Sequence, residues 1–395
     1  MKPIYVFESA VSNLAISEAV KTMKNGWIGL GNKTKEFEYY FANYLCGKEY
    51  NHHKKIDNKD KARKMVAVGL NSATAALHLS MIIAKVSGYK VATTPMTFVS
   101  TNHAILYCKA KPYFIDVDDN MNMDLNLLEK TIRREGLRFV VLVHYAGNPI
   151  LWKDINYLKQ RYEITVIEDC AHALGARYEN GVMVGSCGKY NIFSLHAVKN
   201  LATPDGGFLT SNDMNIVDMA KKLRWLGISK DTISRTNTSS TESYSWYYDV
   251  EEIGYKYHMN DVVASIGLEH LVDIESANDY RRGIISRYSN EINNEVRILK
   301  SLPSTLSSGH MAVAVLSKKY TKNDRNNLIA KLKADYNIHP GVHYTPNNMF
   351  PMYKAYKAST PNAFDLYERI LTLPCHLKMT NADVSRVILA VNSLI

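Results

Sequence analysis

The segment "LRFVVLVHYAGNPILWKDINYLKQRYEITVIEDC", residues 137–170, decides the fold. It opens on the apolar run "FVVLV", passes through "WKDINYLKQRYE" with apolar residues at helical spacing, and closes on a second apolar run, "ITVIED". Two strands joined by a helical crossover are paired parallel, because a tight hairpin makes only antiparallel pairs. Their apolar residues are continuous, not alternating, which marks strands covered on both faces. The pattern extends upstream. "KMVAVGL" leads into "SATAALHLSMIIAKV", "YKVATT" precedes "TFVSTNHAILYC", and "KPYFIDV" precedes "DLNLLEKTIRRE". Together they predict an α/β fold, a mostly parallel sheet sandwiched by helices, over residues 65–210. In such sheets ligands bind beyond the carboxyl ends of the strands.

Further along, "SKDTISRTNTSSTESYSW" (229–246) reads as a long polar loop. "NDVVASIGLEHLVDIESANDYRRGIISRYSNEI" reads as one long helix or two abutting ones. The remainder mixes strands such as "HMAVAVL" with helices such as "KNDRNNLIAKLKADY", the mark of a smaller C-terminal α+β domain. The expected division is a large domain over 1–265 and a small one over 266–395. No internal repeat is present.

Composition narrows the class. With 46% hydrophobic and 22% charged residues the chain reads as an ordinary globular protein. No run of eighteen apolar residues indicates a membrane span, and the first residues show no secretory-signal pattern. The five cysteines are odd in number and lack CxxC pairing, which points to free thiols in the reducing cytoplasm. The thirteen histidines show no metal-ligand spacing, so no metal is assigned. A net charge of +10 invites a nucleic-acid partner. Its densest segment, "NHHKKIDNKDKARK" (51–64), has no interleaved aromatics and reads as a solvated loop, so no nucleic acid is expected. The same bias attracts a phosphorylated small molecule.

The chemistry gathers at the strand ends. Asp169 closes "ITVIED", and Lys199 follows the apolar run "YNIFSLHAV". An acid and a lysine at neighbouring strand ends form either a plain ion pair or a pyridoxal phosphate (PLP) site. In the second reading each group has a reason: the amine condenses with the cofactor aldehyde, and the carboxylate keeps the pyridine nitrogen protonated. A phosphate needs a cradle, and "GLNSATAAL" (69–77) supplies a strand-to-helix turn. There Ser72 and Thr74 stand at N-cap positions, above helix-start N–H groups free to bind an anion. Phe98, in "TTPMTFVST", is either a core side chain or an aromatic placed to stack on the ring.

With these residues in view, "VIEDCAHALGARYENGVMVGSCGKYNIFSLHAVKNLATPDGG" resembles the signature region of the DegT/DnrJ/EryC1/StrS family of PLP-dependent nucleotide-sugar aminotransferases, which have the type I aminotransferase fold. "GWIGLGNKTKEFE", "NSATAAL", "VHYAG", "GYKYHMNDVVASIGLEHL", "GVHYTP" and "LPCH" follow in the family's order, so the resemblance spans almost the whole chain. It implies that Lys199 carries the cofactor, Asp169 meets the pyridine nitrogen, and His172 stands near the phenolic oxygen. It further implies that Ser72, Ala73, Thr74 and Ser194 hold the phosphate and Phe98 stacks on the ring. His196 fits the family's H-x-x-K pattern, and His343 and Tyr344 match a region that faces the substrate, where packing residues are the other reading. Two departures stand out. Ala73 replaces a glycine, and Lys256 replaces the asparagine that reaches the phosphate from the partner subunit. Some members have histidine in place of the lysine and act as dehydratases; Lys199 argues against that branch.

The resemblance implies transfer of an amino group from L-glutamate to a nucleoside-diphosphate-linked keto-deoxysugar by a homodimer with shared sites. The "TPDGG" segment resembles members acting at C4, so a 4-keto-6-deoxysugar is expected. The alternatives are a keto-cyclitol aminotransferase and a non-catalytic regulatory protein of the same fold. The complete lysine, aspartate and phosphate set argues against the last.

Overall fold

The computed structural model describes residues 2–48, 65–228, 248–356 and 358–395. The basic segment 51–64 and the polar segment 229–246 lie outside the described residues. A two-residue strand, β1 (Ile4–Tyr5), precedes the seven strands of the central sheet: β2 (Val66–Leu70), β3 (Lys90–Thr93), β4 (Lys111–Phe114), β5 (Phe139–Val143), β6 (Thr165–Asp169), β7 (Tyr190–Ser194) and β8 (Gly207–Ser211). Their order across the sheet is β2-β8-β7-β6-β5-β3-β4. Every neighbouring pair is parallel except those of β8, which runs antiparallel to both β2 and β7.

The both-faced burial expected of these strands is present, and the pleat divides it. Val140 and Leu142 enter one core with Phe37, Phe41, Phe193 and Phe208. Phe139 and Val141 enter another, with Val68, Leu77, Ile167, Ile192 and Leu209. Successive side chains on a strand point to opposite faces, so one apolar run feeds two layers. Helices cover both faces. The helix Ala73–Ile83 is capped by Ser72, whose hydroxyl accepts from the Ala75 N–H at 3.1 Å.

A second, antiparallel sheet carries β9 (Val296–Ile298), β10 (Ala312–Leu316) and β12 (Ile370–Leu373), in the order β12-β10-β9. Strand β11 (Ile338–His339) pairs with β1, tying the start of the chain to this region. The long helical segment is two helices, Asp261–Val272 and Ile274–Glu291, broken at Asp273. The expected domain boundary at 265 falls inside the first of them, and Leu268 and Leu271 still bury in the core of the large sheet.

Candidate active site

The carboxyl ends of β5, β6 and β7 and the amino end of the reversed β8 share one edge of the sheet. Asp169 pairs in register with Val143 and Ile192, and Gly207 with both Ser194 and Leu70. At that edge lies a cavity of about 410 Å³. Its walls include Ser72, Ala73, Thr74, Phe98, Asp169, His172, Ser194, His196, Lys199, His343 and Tyr344. Eleven residues singled out from separate stretches of sequence thus meet in one place. Lys256 is the exception. Its ammonium lies 3.4 Å from the centre of the Trp225 ring, outside that wall.

Lys199 is delivered by the loop after β7. The Lys199 N–H donates to the His196 carbonyl at 2.8 Å, and Thr203 N–H donates back to the Leu195 carbonyl at 2.7 Å. The loop then returns as β8, with no crossover helix, which is why β8 runs antiparallel. Burial pulls the Lys199 amine down to about 8, against the opposing pull of the Asp169 charge. An amine held there is a usable nucleophile near neutral pH.

Asp169 is buried at the end of β6. One carboxylate oxygen accepts from the Thr101 hydroxyl at 2.7 Å, and the other from the Ala171 N–H at 3.1 Å. Burial pushes its carboxyl upward, while these donors and Lys199 favour the charged form. Thr101 in turn sits 2.9 Å from the Thr97 hydroxyl. Since Thr101 spends its proton on Asp169, Thr97 is the donor to Thr101.

His172 and His310 are buried and held neutral, their pKa values pushed well down first by burial and then by the Lys199 charge. The two rings stack with centroids 4.6 Å apart. His172 Nε2 lies 3.1 Å from the Tyr344 hydroxyl, and its buried Nδ1 has no partner among the described residues. His343 Nδ1 lies 3.0 Å from the Thr372 hydroxyl, and burial lowers this ring to about 4. The Tyr145 hydroxyl donates to the His343 carbonyl, tying the 343–344 segment to the end of β5. Phe98 is 56% exposed at the cavity wall, which rules out the reading of a core side chain.

The site fits PLP. The buried Nδ1 of His172 asks for a polar partner that the described residues do not provide. The first-turn N–H groups of Ala73 and Thr74 have no intrahelical acceptor, and both residues line the cavity, where a helix start would favour an anion. Gly207 shows how tightly that turn is held: a Cβ there would stand 2.5 Å from the Ala73 nitrogen and 2.8 Å from the Phe193 carbonyl oxygen. When bound, PLP supplies an electron sink for a carbanion next to nitrogen. Asp169 would face the pyridine nitrogen, and Lys199 would hold the cofactor and carry protons at its amine.

Sequence reasoning missed Thr101, Phe7 and His310. Thr101 stands three residues after Phe98, a helical spacing that brings it to the same end of its helix, so it was in principle findable. His310 was not. It precedes β10 and reaches the cavity only through contacts distant in sequence.

Comparison with known proteins agrees with the chemistry. Residues 10–392 match the DegT/DnrJ/EryC1/StrS aminotransferase family. The chain is 34% identical over 390 residues to the spore coat polysaccharide biosynthesis protein SpsC of Bacillus subtilis, covering 96% of this chain and 94% of that one. It is 31% identical to the UDP-4-amino-4-deoxy-L-arabinose–oxoglutarate aminotransferase of Shewanella sediminis, covering 98% and 96%. The structure of Spr1654 from Streptococcus pneumoniae in its PMP form superposes with a TM-score of 0.87 at 27% identity, covering 100% of this chain and 99% of that one. With the lysine, the buried aspartate and the capped helix start at Ser72 in one cavity, the chain belongs to the DegT/DnrJ/EryC1/StrS family and is a PLP-dependent sugar aminotransferase.

Proposed function

We propose that this enzyme moves the amino group of L-glutamate onto a nucleoside-diphosphate-linked 4-keto-6-deoxysugar, for polysaccharide or glycoconjugate synthesis. The observation that carries this reading is the single cavity in which Lys199 and Asp169 face His343 and Tyr344 from a distant part of the chain. Two relatives support the substrate class. The Shewanella enzyme is named for a UDP-linked 4-amino sugar and oxoglutarate. A Campylobacter jejuni relative, 30% identical over 374 residues, is named as a UDP-4-amino-4,6-dideoxy-N-acetyl-beta-L-altrosamine transaminase.

In this reading Ser72, Ala73, Thr74 and Ser194 hold the cofactor phosphate, Phe98 covers the ring, and His196, His343 and Tyr344 meet the substrate. The enzyme is a homodimer, and Lys256 of each subunit reaches the phosphate site of the other. It works in the cytoplasm, where its five unpaired cysteine thiols are kept reduced. Nitrogen-labelled L-glutamate, offered with a panel of 4-keto and 3-keto sugar nucleotides and a free keto-cyclitol, tests the reading. Label should appear on C4 of a sugar nucleotide. Label carried only to the cyclitol overturns it.

A further inference from the structure

His310 stands at the end of a chain of amides whose direction the backbone fixes. Asn278 Nδ2 donates to the Leu174 carbonyl at 2.9 Å, so its Oδ1 is left as an acceptor. Asn200 Nδ2 donates to that Oδ1 at 2.6 Å and to the Ser308 carbonyl at 2.8 Å. Carbonyl oxygens only accept, so neither amide can be turned over without facing acceptor with acceptor. Asn200 Oδ1 is therefore the acceptor 2.8 Å from His310 Nδ1, and that nitrogen carries the proton. A neutral imidazole has one N–H, so Nε2 is left with its lone pair.

The surroundings keep it so. The ring is buried between His172, centroids 4.6 Å apart, and Phe7, centroids 5.8 Å apart and planes within 15°. The titratable groups that act on it are Lys199, His172, Arg281 and His343, each of which opposes a second proton on His310. The ring lines the same cavity as Lys199.

We propose that His310 is a specificity residue, a fixed hydrogen-bond acceptor that receives a hydroxyl of the sugar. The inference rests on the reading of the cavity as a site shared by an amino acid and a sugar nucleotide. The two substrates differ in what they offer a lone pair. A carboxylate has only acceptors and is repelled by one, and the amine of glutamate is the group that reacts. A sugar ring carries O–H donors. His310 therefore favours the sugar and turns glutamate's carboxylates away from this wall.

Histidine-labelled holoenzyme tests the tautomer directly by nitrogen NMR, with the His310 signal assigned by its loss in His310→Asn. The expected signal is a neutral ring protonated at Nδ1; protonation at Nε2, or an imidazolium at neutral pH, overturns the proposal. The two half-reactions, glutamate to 2-oxoglutarate and UDP-4-keto-6-deoxyglucose to its amino sugar, are then measured separately. His310→Asn keeps a side-chain N–H on the Asn200 side and takes the acceptor away from the position of Nε2, because its Oδ1 sits on a shorter side chain. Its kcat/KM should fall about tenfold for the sugar, the worth of one hydrogen bond, with the loss in KM and the glutamate step moved far less. Equal loss in both steps overturns the proposal. A set of singly deoxygenated substrates on the wild-type enzyme gives an independent reading: one of them should lose as much as the variant does and lose nothing more in it. If every deoxygenated sugar loses further in the variant, no hydroxyl meets His310. Wild-type enzyme that reacts with glutamate but with no keto-sugar nucleotide overturns the functional reading itself, with the tautomer still read by NMR.

Discussion

Lys199 joins burial to reactivity. Its amine is drawn down to about 8 because the pocket strips water from the charged form more than Asp169 restores it. Only the neutral amine attacks an aldehyde. Capture of PLP by enzyme freed of its cofactor should therefore accelerate about tenfold per pH unit on approach from below and level off once the amine is neutral. Stopped-flow absorbance at a series of pH values measures this; a flat profile would remove the argument from burial. Borohydride added to the holoenzyme should leave the pyridoxyl group on the peptide containing Lys199, and mass spectrometry finding it on another lysine overturns the assignment. Asp169 depends on its neighbours in the same way. Thr101→Val deletes one of its two protein donors. Loss of a hydrogen bond to a charged group costs about 1.5–3 kcal/mol, so PLP affinity should weaken by about tenfold or more, and Thr101→Ser should restore it. A valine variant with unchanged affinity would show that the Thr97–Thr101–Asp169 chain is only packing.

At the scale of elements, the reversed strand β8 holds the site together. Gly207 lies opposite Ser194 on one side and Leu70 on the other, which presses the strand against the turn at Ser72–Ala73. A methyl group there meets backbone atoms at 2.5 and 2.7 Å, and backbone cannot yield as a flexible side chain does. Gly207→Ala should cost about 1–3 kcal/mol of stability in urea unfolding and loosen PLP; a variant as stable as the wild type contradicts this account of the double glycine. Strands β2 to β5 were legible in the sequence because each is an apolar run followed by a helical period, and β6 and β7 because each is an apolar run. The antiparallel sense of β8 was not read, although the missing crossover helix after Lys199 implies it. The sequence leaves the break at Asp273 open because neither glycine nor proline marks it. His310 shows the limit most plainly. Nothing local in "GHMAVAVL" distinguishes it, since its partner Asn200 lies 110 residues away and Asn200's own anchor, Asn278, another 78 away. Local pattern carries periodicity and caps; it does not carry a relay assembled by the tertiary fold.

The whole molecule leaves one surface to be explained. The helix Asn13–Lys24 buries Ala15 and Ala19 against Ile266, while Leu14, Ile16, Val20 and Met23 stand exposed, with Trp27 and Ile28 just beyond. Ile16, Val20 and Met23 fall on one side of the helix at about 3.6 residues per turn; exposed apolar surface of that kind is a mark of association, and it supports the proposed dimer. Sedimentation should give twice the mass of one chain, and Val20→Glu with Met23→Glu should halve it. Lys256 then decides whether the sites are shared. Its segment runs beside the Ser72–Thr74 turn of its own chain: Asn71 Nδ2 donates to the Lys256 carbonyl at 3.4 Å, and Asn71 N–H donates to the Tyr257 carbonyl at 2.7 Å. Lys256→Ala should loosen PLP by about tenfold, from loss of a contact worth about 1.5–3 kcal/mol, whichever subunit it serves. Hybrid dimers separate the two cases. In a hybrid of Lys199→Ala with Lys256→Ala, one site combines an intact Lys199 with an intact Lys256 of the partner subunit. Shared sites therefore predict one site of wild-type PLP affinity per hybrid. If Lys256 serves its own subunit, that same site has lost it, and the hybrid binds no more tightly than Lys256→Ala alone.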